Sequence, residues 1–123
     1  MPIRNIEKGK IGEDTASSFL EKHGYRIVLK NYRVRIGEVD IIARDKGVIC
    51  FIEVKMRDSC AFGSPQEAIT VYKQRRISKV ALCYLKENNL LEKNARFDVV
   101  SIVNDQKGAP KIELIQNAFE LDE

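Results

Sequence analysis

The sequence predicts an α/β fold with a mixed central sheet flanked by helices. Three observations predict it. A helix-period stretch opens the chain, two strongly apolar runs joined by a short turn follow, and a second helical stretch leads into another apolar run. Runs as apolar as Val39-Asp40-Ile41-Ile42 and Val48-Ile49-Cys50-Phe51-Ile52 belong between two covering layers.

The first helix is expected from about Lys8 to His23, closed by Gly24, with Lys22 and His23 suiting the negative end of the helix dipole. Glu13 shares a stripe with Ala16 and Leu20, and taken alone it is a first-turn acid favoured by the same dipole. His23 falls where a C-terminal cap is wanted. Tyr25 to Val34 reads as a strand and Arg35-Ile36-Gly37 as a turn. Residues 38–44 and 48–55 form a hairpin around Asp45-Lys46-Gly47.

Ser64-Pro65-Gln66-Glu67 carries the capping box of a second helix reaching about Glu87. The β-branched run Ile69-Thr70-Val71 offers a break, with Thr70 capping a second segment. Ala95 to Val103 is apolar on both faces and suits an interior strand, while Asn104 to Pro110 is turn-rich. Ile112 to Ile115 adds a short last strand. The order is helix, three strands, helix, strand, strand.

The 123 residues fit a single domain, 1–123, with 44% hydrophobic composition and neither repeats nor low-complexity linkers. Charged residues make up 32%, yet the formal net charge is only +3. So mild an excess permits nucleic-acid binding without demanding it. Its distribution is more telling. Lys73, Arg75, Arg76 and Lys79 crowd one segment, and Arg33, Arg35 and Arg57 flank the two apolar strands. A solvated helix face is the plainer reading of that cluster.

Cys50, Cys60 and Cys83 are odd in number and lack paired spacing, which argues against a disulfide framework or a zinc site and for a reducing compartment. Cys50 and Cys83 read as small core residues. No signal-peptide core and no run of roughly 20 apolar residues is present, so a cytoplasmic protein free of the membrane is expected.

Chemistry enters where the apolar strands turn charged. Gly37-Glu38-Val39-Asp40 carries an isolated carboxylate, and the second strand ends Glu53-Val54-Lys55. Unpaired charge between two layers is expensive, so Asp40, Glu53 and Lys55 are candidates for a site. Asp40, Glu53 and the Val54 carbonyl would suit magnesium or manganese, which take hard oxygen ligands and keep several waters. Lys55 would orient a water or steady an anionic transition state. Glu13 would approach from the first helix, and Glu38 would stand behind Asp40.

Glu53 and Lys55 share a face by alternation. Asp40 joins them if Arg44 pairs with Gly47 across a two-residue turn, or if a bulge gives equal parity. A three-residue loop would place it across the sheet. The bland alternative is an edge strand with solvated Glu53 and Lys55. Asp98, on an apolar strand, is expected to be a buried partner of an arginine or a backbone amide.

Asp40 followed by Glu53-Val54-Lys55 resembles the PD-(D/E)xK signature of restriction-endonuclease-like nucleases, with Glu38-Val39-Asp40 where that signature has Pro-Asp. The chain as a whole is similar to the YraN-like family, predicted endonucleases resembling archaeal Holliday junction resolvases. The matching stretches are Gly12-Glu13, Asn31-Tyr32-Arg33, Gly37 to Asp40, Phe51 to Lys55 with Arg57, Phe62-Gly63, Ala68-Ile69, Lys73 and Arg96 to Val100.

That resemblance implies a restriction-endonuclease-like αβββαβ core and a Mg2+- or Mn2+-dependent endonuclease acting on DNA, including branched DNA. It assigns Asp40, Glu53 and Lys55 to the catalytic motif, with the two carboxylates as metal ligands, and adds Glu13 as the first-helix acid. Arg57, Lys73 and Arg76 are the expected nucleic-acid contacts. A symmetric junction would call for a homodimer. The competing expectations are a catalytically silent nucleic-acid-binding or assembly protein on the same fold, and a metal-responsive structural protein.

Overall fold

A computed structural model describes residues 5–57, 69–104 and 108–120 of the chain. Its elements are α1 (Asn5–Lys22), β1 (Arg26–Val34), β2 (Gly37–Asp45), β3 (Val48–Arg57), α2 (Val71–Glu87), β4 (Ala95–Val103) and β5 (Lys111–Phe119). The strands form one sheet in the order β1-β2-β3-β4-β5. Among the described strands, only the β3–β4 pair is parallel, with α2 in the crossover that a parallel pair requires. The result is the expected mixed sheet flanked by helices.

The sheet is covered on both faces. Leu20 and Ala16 of α1 are buried against Ile41, Ala43, Cys50, Ile52, Val100 and Ile102. Ile77, Val80, Ala81 and Tyr84 of α2 pack on Ile42, Ile49, Phe51, Phe97 and Val99. Alternation along β3 therefore sends Cys50 and Ile52 to one helix and Ile49 and Phe51 to the other. Glu53 and Lys55 continue the α2 side. The interior strand expected at Ala95–Val103 is β4, buried at seven of its nine positions.

Helix boundaries follow local chemistry. Beyond α1, Gly24 takes a left-handed φ of +89°, and His23 Nδ1 lies 2.8 Å from the Phe19 carbonyl, a C-terminal cap as expected. α2 starts at the alternative break, with the Thr70 hydroxyl accepting the Lys73 amide at 3.2 Å. The capping box at Ser64 to Glu67 lies outside the described residues, as does Cys60. Cys83 is half-buried rather than a core residue.

The β2–β3 turn corrects the expected register. Asp45 pairs with Val48, so the two loop residues are Lys46 and Gly47, with φ of +50° and +85°. Two successive positive φ values suit a tight hairpin, and Gly47 adopts its own without a Cβ penalty. Parity matches the expected register, but the pairing slides by two residues. That slide carries Asp40 from a rung opposite Phe51 to one opposite Glu53.

The last strand is longer than expected, nine residues instead of four. A register shift between Phe97 and Val99 and a positive φ of +52° at Asn117 interrupt its alternation. This bulge hid the second half of β5 from a pattern-based reading.

None of the described helices is long and apolar enough to cross a membrane.

Candidate active site

The site lies where two ladders stop. Pairing of β2 with β3 runs from Asp45↔Val48 to Ile41↔Ile52 and ends one rung short of Asp40. Pairing of β1 with β2 skips the rung between Lys30↔Ile41 and Tyr32↔Val39, where Asn31 and Asp40 would meet. Asn31 takes a left-handed φ of +55° there. Ile41 packs in the α1 layer whereas Val39, two residues earlier, packs in the α2 layer. The strand thus rolls over at Asp40, which sits in a fissure in the sheet.

The Asp40 carboxylate replaces a missing backbone partner. Its Oδ2 accepts the Val54 amide at 2.8 Å. A strand residue directs its N–H and C=O to the same neighbour, so the Val54 carbonyl faces the same fissure. Asp40, Glu53, Val54 and Lys55 line one open cleft of about 730 Å³ with Arg33, Arg35, Gly37, Glu38, Lys73 and Arg76. Positions 40, 53 and 55 thus line one shared cleft.

Electrostatics set these groups apart from ordinary surface charges. Burial pushes the Asp40 carboxyl up to about 6, against the Val54 hydrogen bond, with Glu13 and Glu38 adding repulsion. Burial and the facing Asp40 push Glu53 further, to about 8, although Lys55 and Lys73 oppose the shift. Lys55 is lowered by its own desolvation and by contact with Lys73, despite the two carboxylates. Two acids driven up together beside a lysine driven down is an arrangement typical of functional sites.

The remaining expected residues are placed unevenly. Glu13 does not line the cleft, but it approaches Asp40 from the α1 side and receives a 2.9 Å hydrogen bond from Asn31 Nδ2. Lys73 and Arg76 line the cleft from α2, and Arg76 Nε also donates to the Ile36 carbonyl at 2.7 Å, clasping the β1–β2 turn. Glycine at position 37 leaves room for that clasp: a Cβ there would sit 3.2 Å from Val80 and 3.3 Å from Arg76, and those side chains would have to give way. Arg57 is half-buried at the end of β3 and is not among the cleft-lining residues. Glu38 pairs with Arg33 across the β1–β2 ladder at 2.8 Å.

Asn31 was not singled out as a site residue. Its signal was an Asn inside an otherwise regular strand, the residue type that tolerates left-handed φ. Asp98 is fully buried, as expected of a structural partner. It accepts from Arg96 Nε, Tyr25 Oη and the Asn117 amide, and Arg96 extends the network to Asp45.

Residues 12–102, reaching from α1 through β4, match the Uncharacterised protein family UPF0102. The chain belongs to UPF0102. A UPF0102 protein of Syntrophus aciditrophicus is 52% identical over 118 residues, covering 96% of this chain and 92% of its own. One from Geobacter sulfurreducens is 51% identical, covering 92% and 88%. One from Geobacter metallireducens is 49% identical, covering 98% of both. The matched UPF0102 region contains every residue that lines the cleft, together with Glu13 and Asn31.

Among the described residues, no group of three or more His, Cys, Asp and Glu side chains is gathered for a metal. The donors this UPF0102 chain offers are the two carboxylates and the Val54 carbonyl, all hard oxygen. Two half-buried acids that repel each other would be relieved by a divalent cation, and a site with few protein ligands suits an ion that keeps its waters. In charge and ligand chemistry, the residues fit magnesium or manganese.

Proposed function

We propose that this protein is a Mg2+- or Mn2+-dependent endonuclease that hydrolyses phosphodiester bonds in DNA, with branched or otherwise unpaired DNA as its substrates. The reading takes the helix, three strands, helix and strand from α1 to β4 as a restriction-endonuclease-like core. One observation carries it: two raised carboxylates and a lowered lysine line one cleft whose rim is made of arginine and lysine.

Each residue has a role in this reading. Asp40, Glu53 and the Val54 carbonyl would hold the cation. When bound, that ion supplies Lewis acidity, lowers the pKa of water and offsets charge on the phosphate. Lys55, beside the carboxylates, positions the attacking water and steadies developing negative charge. Glu13, fixed by Asn31, adds a second acid behind Asp40. Arg33, Arg35, Lys73 and Arg76 bind the phosphates on either side.

The test is incubation with four-way junction, flap, single-stranded and duplex DNA, with and without Mg2+ or Mn2+. Cleavage should require the metal and should fall by roughly a hundredfold or more in Asp40→Ala and Lys55→Ala. Undiminished cleavage by both variants would remove the proposed roles. Metal-independent, salt-sensitive binding without cleavage would instead make the protein a nucleic-acid-binding module.

A further inference from the structure

Next in sequence to the cleft-lining Lys73, the first turn of α2 leaves Tyr72 70% exposed, beside Val71 at 61%. Helical spacing sets Arg76 one turn beyond Tyr72 on the same face. The Arg76 guanidinium lies 5.9 Å from the Tyr72 ring centroid. Through its bond to the Ile36 carbonyl, Arg76 also ties this region to the β1–β2 turn, where Ile36 is 42% exposed. Lys73, the residue after Tyr72, lines the cleft with Arg76.

An aromatic ring is thus held at the rim of a cationic cleft, with phosphate-binding side chains next to it in sequence and one turn along the helix. Solubility does not call for an exposed tyrosine there, and among the described residues Tyr72 belongs to neither core cluster. A polyanion in the cleft would bring its bases to this height. Bases inside a duplex are already stacked on each other, so only an unpaired base has a π face to offer. The arginine restrains the ring beforehand, which lowers the ordering cost of binding.

We infer that Tyr72 is a stacking platform for an unpaired nucleobase, and that the cleft selects strands carrying unpaired nucleotides over continuous duplex. Lys73 and Arg76 grip the flanking phosphates while the ring takes the base. Val71 and Ile36 offer apolar contact to the sugar. This inference rests on the nucleic-acid part of the reading above and is independent of the cutting step.

The experiment is fluorescence anisotropy in EDTA with three labelled probes of equal length: a thymidine single strand, the same strand made abasic, and a duplex. The wild-type protein should bind the thymidine strand about tenfold more tightly than the abasic strand of equal charge. Tyr72→Ala should abolish that difference and leave duplex affinity unchanged, whereas Tyr72→Phe should keep it. Thermal melting of both variants should match wild type, since the ring is exposed. Equal weakening on all three probes, or a thymidine preference surviving Tyr72→Ala, would overturn the inference. Failure to bind any probe, in EDTA and again with Ca2+ present, overturns it together with the nuclease reading. A base preference without cleavage in metal removes the nuclease reading alone.

Discussion

Asp40 Oδ2 accepts the Val54 amide at 2.8 Å, where the next rung of the β2–β3 ladder would have used a backbone carbonyl. A side chain therefore completes the hydrogen bonding of β3 at the point where the sheet opens. The carboxylate is thus tied to the strand that carries Glu53 and Lys55.

The raised acids make metal-free stability depend on pH. For Glu53, at about 8 in the fold against an ordinary 4.5, the folded state holds a proton that the unfolded chain has released. Its contribution is fully present below pH 4.5 and is lost as pH rises towards 8; Asp40 behaves alike between 3.8 and about 6. In EDTA, Glu53→Gln should flatten this decline and be more stable than wild type at pH 8 by roughly 1–3 kcal/mol, with no gain near pH 4. Urea titrations across that range decide it.

A divalent cation should reverse the penalty. Mg2+ or Mn2+ at a hundredfold excess over its Kd should add about 2.7 kcal/mol of stability. The gain should grow from pH 6 to pH 8 as Glu53 gives up its proton, and should vanish in Glu53→Gln and Asp40→Asn. Melting curves with and without metal measure it. Equal stabilisation of the variants would place the ion elsewhere.

Asn31 is expected to act on the site through Glu13. Asn31→Gly keeps the left-handed backbone and loses only the 2.9 Å bond, so it should fold and be impaired in cleavage. Asn31→Ala adds a strain of about 1–2 kcal/mol. Urea unfolding and cleavage assays on the two variants separate backbone strain from orientation of the acid.

The rim cations should set the salt dependence of binding. With Arg33, Arg35, Lys73 and Arg76 each neutralising one phosphate, log Kd should change with log salt by roughly 3 to 4. Lys73→Ala should reduce that slope by about 1. Anisotropy titrations at several salt concentrations give the number.

The Asp98 network should matter for folding and not for chemistry. Asp98 is wholly buried, and Asp98→Ala would take the acceptor from the Asn117 amide and one of two carboxylate partners from Arg96, which keeps Asp45, at a cost of about 2–4 kcal/mol. Tyr25→Phe removes one hydroxyl from the same network and should cost about 1–2 kcal/mol. Its cleavage rate should be unchanged, because the network lies outside the cleft-lining set.

What the sequence made legible was whatever local pattern determines. The apolar runs of β2, β3 and β4, the Gly24 stop, the Thr70 break and the buried pairing of Asp98 all follow from side-chain types at short range. Glu53 and Lys55 share a face by alternation alone. The position of Asp40 opposite Glu53 did not follow, because it depends on which two residues form a turn several rungs away. Nor did the rollover at Asp40, which needs a left-handed residue on a different strand. The second half of β5 was hidden by its bulge, and spacing along β3 could not say that the cleft-lining set ends before Arg57.

The Lys46-Gly47 turn lies at the far end of the hairpin, yet it determines what Asp40 faces. Adding or deleting a single residue between Asp45 and Val48 would exchange inward for outward along one whole strand, turning the acid away from its partner. Swapping Lys46 for another residue that accepts a positive φ would disturb nothing in the cleft. The constraint this bend carries is one of length, and a protein engineer seeking to graft or lengthen a loop should do so somewhere else.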